Sequence, residues 1–292
     1  VEKRGIATMD LLPRMAALLD RSPREIGYAG LKDAQAVTRQ WLTIEHLDAA
    51  SLQCLQAEEF RVLRAVQHRN KIKLGHLRGN RFRILLRGAT AADVGPAADN
   101  LARMERTGVP NYFGPQRCGR DGANLALARS LFAGKCMQRD RRCIALSAAR
   151  SYVFNEVLSC RVAERTWVRA EAGDLVSLDG SASFFPVPSV ADDVRTRIGN
   201  LDLHPTGPLW GRADTADDKA LSEAEQQVAA LQSELVDGLE SAGVTMARRA
   251  LRVAVRQLDW EQSGDDLSLG FRLPRGGFAT AVLAEIGSIA DD

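Results

Sequence analysis

The chain has 292 residues, 45% of them hydrophobic and 26% charged, a length that accommodates about two domains with cores of their own. No apolar run approaches the roughly 20 residues of a membrane span, and Val1-Glu2-Lys3-Arg4-Gly5 lacks the apolar core of a secretory signal. Five cysteines without a C-x-x-C and four scattered histidines argue against a disulfide scaffold and a zinc finger, which favours a soluble cytosolic protein whose net charge of +2 names no partner.

Leu11, Leu12, Met15, Leu18 and Leu19 recur at helical spacing and predict a helix over residues 8–20. Strand-like segments follow at 25–29, 36–44, 60–67, 71–77 and 82–86. In the fourth of these, Ile72 and Leu74 alternate with Lys71 and Lys73, as a strand with one buried and one basic face would. Val94, Ala97, Leu101 and Met104 mark a helix. Gly108-Val109-Pro110 reads as a boundary. Beyond it a long helix is predicted over 145–164, and Asp179-Gly180 supplies the turn of a hairpin between 175–178 and 183–187. Proline and glycine cluster in His204-Pro205-Thr206-Gly207-Pro208. Leu221, Ala224, Val228, Leu231 and Leu235 form a helical stripe, strands return at 251–257 and 267–273, and a helix closes the chain over 280–286. Strands at both ends around a different middle suggest a domain inserted into a discontinuous sheet domain.

Charge is not spread evenly. Residues 60–92 contain no acid, yet carry Arg61, Arg64, Arg69, Lys71, Lys73, Arg78, Arg81, Arg83 and Arg87, while residues 214–240 hold eight carboxylates and one lysine. Such separation attracts a polyanion to one region, although solvated strand faces also collect lysine and arginine. Three segments carry candidate chemistry. In Gly30-Leu31-Lys32-Asp33 a carboxylate on a glycine-rich turn can act as base or nucleophile, with Lys32 holding Asp33 ionised; an ordinary exposed turn has the same residues. Gly79-Asn80-Arg81-Phe82 sets an amide beside a ring, which suits a nucleobase edge and face, or a turn asparagine before a core phenylalanine. Gly276-Gly277-Phe278 allows close backbone approach next to a ring that can stack on a base or fill a core.

In order along the chain, these segments resemble the TruD family of tRNA pseudouridine synthases. The resemblance is carried by Gly30, Lys32, Asp33, Ala36, Thr38 and Gln40, then Gly79-Asn80-Arg81-Phe82 and Val109-Pro110-Asn111-Tyr112-Phe113-Gly114-Pro115-Gln116-Arg117. It continues through Leu146-Ser147-Ala148-Ala149-Arg150-Ser151, the run from His204 to Gly211, and Leu273-Pro274 with Gly277-Phe278-Ala279-Thr280. It implies an α+β protein: a pseudouridine-synthase catalytic fold with a mixed, largely antiparallel sheet and flanking helices, over 1–107 and 254–292. A TRUD-type α/β domain is inserted at 108–253. It further implies isomerisation of uridine 13 of transfer RNA, with Asp33 as the catalytic aspartate, Lys32 as possible support, and Asn80, Phe82 and Phe278 at the target nucleotide. No metal or organic cofactor is implied, the partner is tRNA, and a cytoplasmic monomer is expected.

Two departures from the family pattern stand out. Family members begin with a further segment, including a Pro-Glu-Asp-Phe type motif that brings an aromatic contact and a basic partner for the aspartate. This chain starts after it, which reads as a fragment or a degenerate form. Cys118 stands where the family places phenylalanine and is expected to be a small buried hydrophobe. Two other functions fit the residues less fully. One is a non-catalytic RNA-binding module or RNA chaperone; the other is a small-molecule hydrolase built on Asp33, which leaves the basic stretch without a purpose.

Overall fold

The leucine stripe near the N-terminus forms the expected helix. In the computed structural model, which describes residues 1–89, 91–181, 183–216 and 220–287, the chain divides into two units, Val1–Arg78 and Gly79–Asp292.

In the first unit, β1 (Glu2–Arg4) leads into α1 (Thr8–Leu18), and a single 3-10 turn at Pro23–Glu25 precedes β2 (Ile26–Tyr28). There follow β3 (Val37–Arg39), β4 (Leu42–Ile44), α2 (Ala49–Gln53), β5 (Gln56–Ala57) and β6 (Phe60–Arg61). The order β3-β1-β6-β5 makes one antiparallel sheet, and β2 pairs with β4. Leu11, Leu12 and Met15 of α1 bury against Ile26, Leu55 and Phe60, and each such side chain contributes about 1.5–3 kcal/mol.

The sequence predicts one strand over 36–44, whereas the structure has two, in different sheets. Between them Gln40 turns its backbone N–H to Val1 O at 3.0 Å. The predicted strand at 60–67 ends after Arg61. No ladder forms over 71–77: Ile72 N donates to Thr43 Oγ1 at 3.0 Å, and Leu74 is 66% exposed. Alternation there imitates a strand without a neighbouring chain to pair with.

The second unit opens with β7 (Gly79–Arg87), α3 (Ala91–Thr107), β8 (Val109–Pro110), α4 (Ala123–Phe132) and α5 (Arg139–Ala163). It continues with β9 (Leu175–Leu178), β10 (Phe184–Pro186), α6 (Asp192–Gly199), β11 (Leu203–Leu209), α7 (Glu223–Leu231) and α8 (Ser233–Ser241). It closes with β12 (Ala247–Ala250), β13 (Arg252–Val253), β14 (Arg256–Ser263), β15 (Asp266–Pro274) and α9 (Ala279–Ala284).

β15 lies between β14 and β7. Phe82, Ile84 and Leu86 of β7 share a face with Phe271, Leu269 and Leu267 of β15, and that face packs on Leu101 and Met104 of α3 and Val282 of α9. A second sheet, β10-β9-β11-β12, stands beside a helical core in which Ala145, Ala149, Val153 and Val157 of α5 meet Leu125, Val228, Leu235 and Leu239. The Asp179-Gly180 hairpin forms, with Gly180 at φ +71°. Among the described residues every ladder between strands is antiparallel, in line with the expected α+β class. The single stripe from Leu221 to Leu235 breaks at Gln232 into α7 and α8. The strand predicted over 251–257 is likewise split, into β13 and the start of β14. Among the described residues no helix is long and apolar enough to cross a membrane.

Candidate functional site

Asp33 lies in the first unit, on the loop between β2 and β3, with an exposed side chain. The loop under it is pinned from two directions. Lys3, on the inward face of β1 and only 1% exposed, donates from Nζ to Asp33 O at 2.7 Å, to Lys32 O at 3.2 Å and to Ile6 O. Thr8, at the first turn of α1, sends its backbone N–H to Lys32 O and receives the Lys32 N–H on Oγ1 at 2.9 Å. The Thr8 hydroxyl also lies 3.3 Å from Gln40 Oε1. Below the loop, Thr38 Oγ1 and Gln40 Nε2 are buried without a hydrogen-bond partner among the described residues.

Burial pushes the Lys3 ammonium below the usual lysine range; the negative charge of Asp33 opposes that shift and Lys32 adds to it. Lys32 is lowered by burial as well, again against the attraction of Asp33. Two partly desolvated ammonium groups therefore flank the loop that carries Asp33. Sequence reasoning identified Lys32 and missed Lys3. A lysine within a charged tripeptide reads as surface, and only its position opposite Thr38 in the β1–β3 ladder turns it inward.

The other predicted residues lie in the second unit, towards one end of the β7–β15 pair. Asn80 stands opposite Leu273, and Phe82 stands opposite Phe271, on which its ring stacks at 5.3 Å between centroids. Phe82 is thus half-buried at the margin of the sheet's core. A Cβ on Gly79 would collide with Leu273 O, so glycine permits the close approach that brings Asn80 alongside the end of β15. Past Pro274 the chain turns, with Gly277 N donating to Pro274 O at 3.2 Å, and Phe278 caps the start of α9.

Phe278 has neighbours that sequence reasoning did not single out. Its ring centroid lies 6.0 Å from that of Phe113, and the Arg249 guanidinium lies 4.1 Å from the Phe113 centroid and 5.7 Å from that of Phe278. Phe113 is fixed by Asn155 of α5, which accepts the Phe113 N–H and donates to its carbonyl, both at 2.9 Å. Arg249 Nη2 donates to Asn111 Oδ1 and, at 3.1 Å, to Gly276 O, directly before the Gly277-Phe278 pair. Cys118 is half-buried, and burial raises its thiol pKa. That leaves it a poor nucleophile, although it is less deeply buried than the small buried hydrophobe expected from the sequence.

Much of the acid-free stretch has partners. Glu2 bridges Arg39 and Arg61 across the β3-β1-β6 ladder at 2.7 Å each, and Lys71 meets Glu45 at 3.0 Å. Arg81 and Arg83 stay 67% and 77% exposed, with Asp259 no nearer than 3.8 Å. The first unit by itself thus offers an exposed carboxylate on a tethered backbone, and the second by itself an amide, two rings and guanidinium groups suited to a nucleotide.

The chain matches the family described as tRNA pseudouridine synthase D (TruD), over residues 1–142 and 132–286. It is 41% identical over 291 residues to the tRNA pseudouridine synthase D of Methylococcus capsulatus, covering 98% of this chain and 82% of that one. It is 43% identical over 292 residues to the protein of the same name from Azotobacter vinelandii, with the same coverage. Among solved structures, the putative tRNA pseudouridine synthase D (TruD) of Methanosarcina mazei superposes with a TM-score of 0.76 at 20% identity, over 98% of this chain and 86% of that one. This last likeness is one of fold.

Proposed function

Because the chain belongs to the TruD family of tRNA pseudouridine synthases, we propose that it isomerises uridine to pseudouridine in transfer RNA, at position 13, with Asp33 as the catalytic carboxylate. The observation that carries this reading is the Asp33 loop. Its backbone is tied down by Lys3 and Thr8 while its side chain reaches solvent. A backbone so held costs little reorganisation when a substrate arrives.

In the reaction the N1–C1′ bond breaks, uracil turns, and C5 bonds to C1′. C5 gives up its proton and N1 gains one, so no redox partner is needed. Asp33 enters ionised, either attacking C1′ or taking a proton on a route through a glycal. Asn80 and Phe278 hold the base once it has left its stack, which a duplex-bound uridine must do first. Phe82, stacked on Phe271, braces the strand that carries Asn80.

The proposal extends to a cytoplasmic monomer working without a cofactor, and to a catalytic domain of 1–107 and 254–292 interrupted by 108–253. Support for the interruption comes from the β8–β13 ladder, in which Val109 pairs with Val253, so that the segment between them leaves and returns side by side.

The test is pseudouridine mapping by carbodiimide and primer extension on a tRNA transcript. We expect product at a single uridine, lost by at least about 1,000-fold in Asp33→Asn with tRNA affinity kept. Turnover unchanged in that variant ends the assignment of Asp33. A wild-type chain that binds tRNA and forms no product favours an RNA-binding module instead.

A further inference from the structure

Buried arginines in the second unit are otherwise well satisfied: Arg252 donates to His204 Nδ1 and to backbone carbonyls, and two others meet carboxylates. Arg161, at 4% side-chain exposure, bonds Asp174 at 2.7 Å, and Arg248, at 3%, bonds Glu225 at 2.5 Å. Arg249, the next residue on β12, does not. Its hydrogen bonds go to Asn111 O, Asn111 Oδ1 and Gly276 O, and its guanidinium faces the rings of Phe113, Phe154 and Phe278. Its Nη1 donates to nothing among the described residues. Arg117 brings a second guanidinium to the same Phe113 ring, 5.5 Å from the centroid, and its one side-chain hydrogen bond among the described residues is to Ser147 Oγ at 3.2 Å.

Burial, with the charge of Arg117 adding to it rather than relieving it, lowers the Arg249 pKa to about 10. Two partly desolvated cations sharing one ring, with no anion between them, are costly unless an anion arrives. Cation–π contact returns only about 0.5–2 kcal/mol of that cost. Both groups remain partly open to solvent, as do Phe113 and Phe278, so a ligand has access. Arginine pairs on aromatic rings suit phosphate, which accepts the planar fork while the ring holds the guanidinium in place.

We propose that Arg117 and Arg249, gathered on Phe113, form a phosphate-binding patch that grips the RNA backbone next to the nucleotide held at Phe278. The proposal rests on the reading of Phe278 as a nucleotide contact. It adds a second task for the segment between β8 and β13: Arg117, Phe113 and Arg249 all come from it, whereas Phe278 comes from the chain beyond. Through Gly276 O, Arg249 also ties the grip on the backbone to the turn that carries Phe278.

The test uses the full chain and RNA containing the target uridine, made with single methylphosphonate linkages at each flanking position. One or two of these neutral linkages should weaken binding by the wild-type chain about tenfold, yet leave binding by Arg117→Gln unchanged. The same variant should bind unmodified RNA about tenfold more weakly, with a salt slope smaller by about 0.7–0.9. Arg117→Lys, which retains the charge, should keep that slope, and a slope lost equally in both variants refutes the patch. Equal methylphosphonate losses in wild type and Arg117→Gln at every position refute it as well, whatever the fate of catalysis. Coupling at one linkage in a chain that forms no pseudouridine would keep the patch and overturn the enzymatic reading instead.

Discussion

Lys3 ends on three backbone carbonyls and makes no ion pair with a carboxylate among the described residues. Its stem packs where a hydrophobic residue would, so Lys3→Met preserves volume and removes only the donors. The carbonyls of Ile6 and Asp33 then lose the Lys3 donor, while Lys32 O keeps the Thr8 N–H, at a cost of about 2–4 kcal/mol. A urea melt should show that loss, and turnover should fall further than tRNA affinity because the Asp33 loop loses its anchor. Turnover that survives intact in a folded Lys3→Met chain would show that the anchor serves stability alone. Asp33, Asn80 and Phe278 were legible as residue types in suggestive settings, and the order of motifs gave them roles. Lys3, Phe113, Arg117 and Arg249 were not. Nothing in Val-Glu-Lys-Arg says which charge turns inward, and the three other residues meet only because β8 and β12 come from distant parts of the chain.

At the level of elements, Asp179 shows how one side chain ties several strands together. It sits in the β9–β10 turn, accepts from His204 Nε2 of β11 at 3.1 Å, and meets Arg256 of β14 at 2.8 Å. His204 Nδ1 in turn accepts from Arg252 Nε, which fixes the proton on Nε2. Burial alone raises the Asp179 carboxyl, but the hydrogen bonds and charges of His204 and Arg256 outweigh it and leave the pKa below 3.8. Its contribution to stability is therefore full above pH 3.8 and disappears as pH falls through the lowered folded value. Thermal melts of wild type and Asp179→Asn should differ at neutral pH and converge in acid; a gap that persists unchanged would mean that the charge is irrelevant. Elements were legible where periodicity met packing, as in α1, β9–β10 and β15. Alternation misled at 71–77, where no partner strand exists. β11 escaped notice for the opposite reason: Pro205 and Pro208 suggest a loop, yet Thr206, Gly207 and the proline carbonyls take part in a buried ladder with β9 and β12.

For the molecule as a whole, the five thiols give a direct check. Cys54, Cys136 and Cys143 are exposed and Cys118 and Cys160 half-buried, all unpaired. An aromatic disulfide reagent should titrate three promptly in the native chain and two more on unfolding, and reductant should leave the melting temperature unchanged; five rapid thiols would contradict the burial of the last two. The β14-β15-β7 sheet of the second unit also has a history. β7 ends at Arg87 and its partner β15 begins at Asp266, so on a ribosome adding about 5–20 residues per second β7 waits roughly ten to forty seconds for its neighbour. Throughout that interval Ile84, Leu85 and Leu86 belong to an unpaired strand, the kind of segment that captures other nascent chains. Arg81, Arg83 and Arg87 punctuate it with like charges that repel a second copy. Charges so placed are suited to act as gatekeepers that keep an unfinished chain from pairing with another.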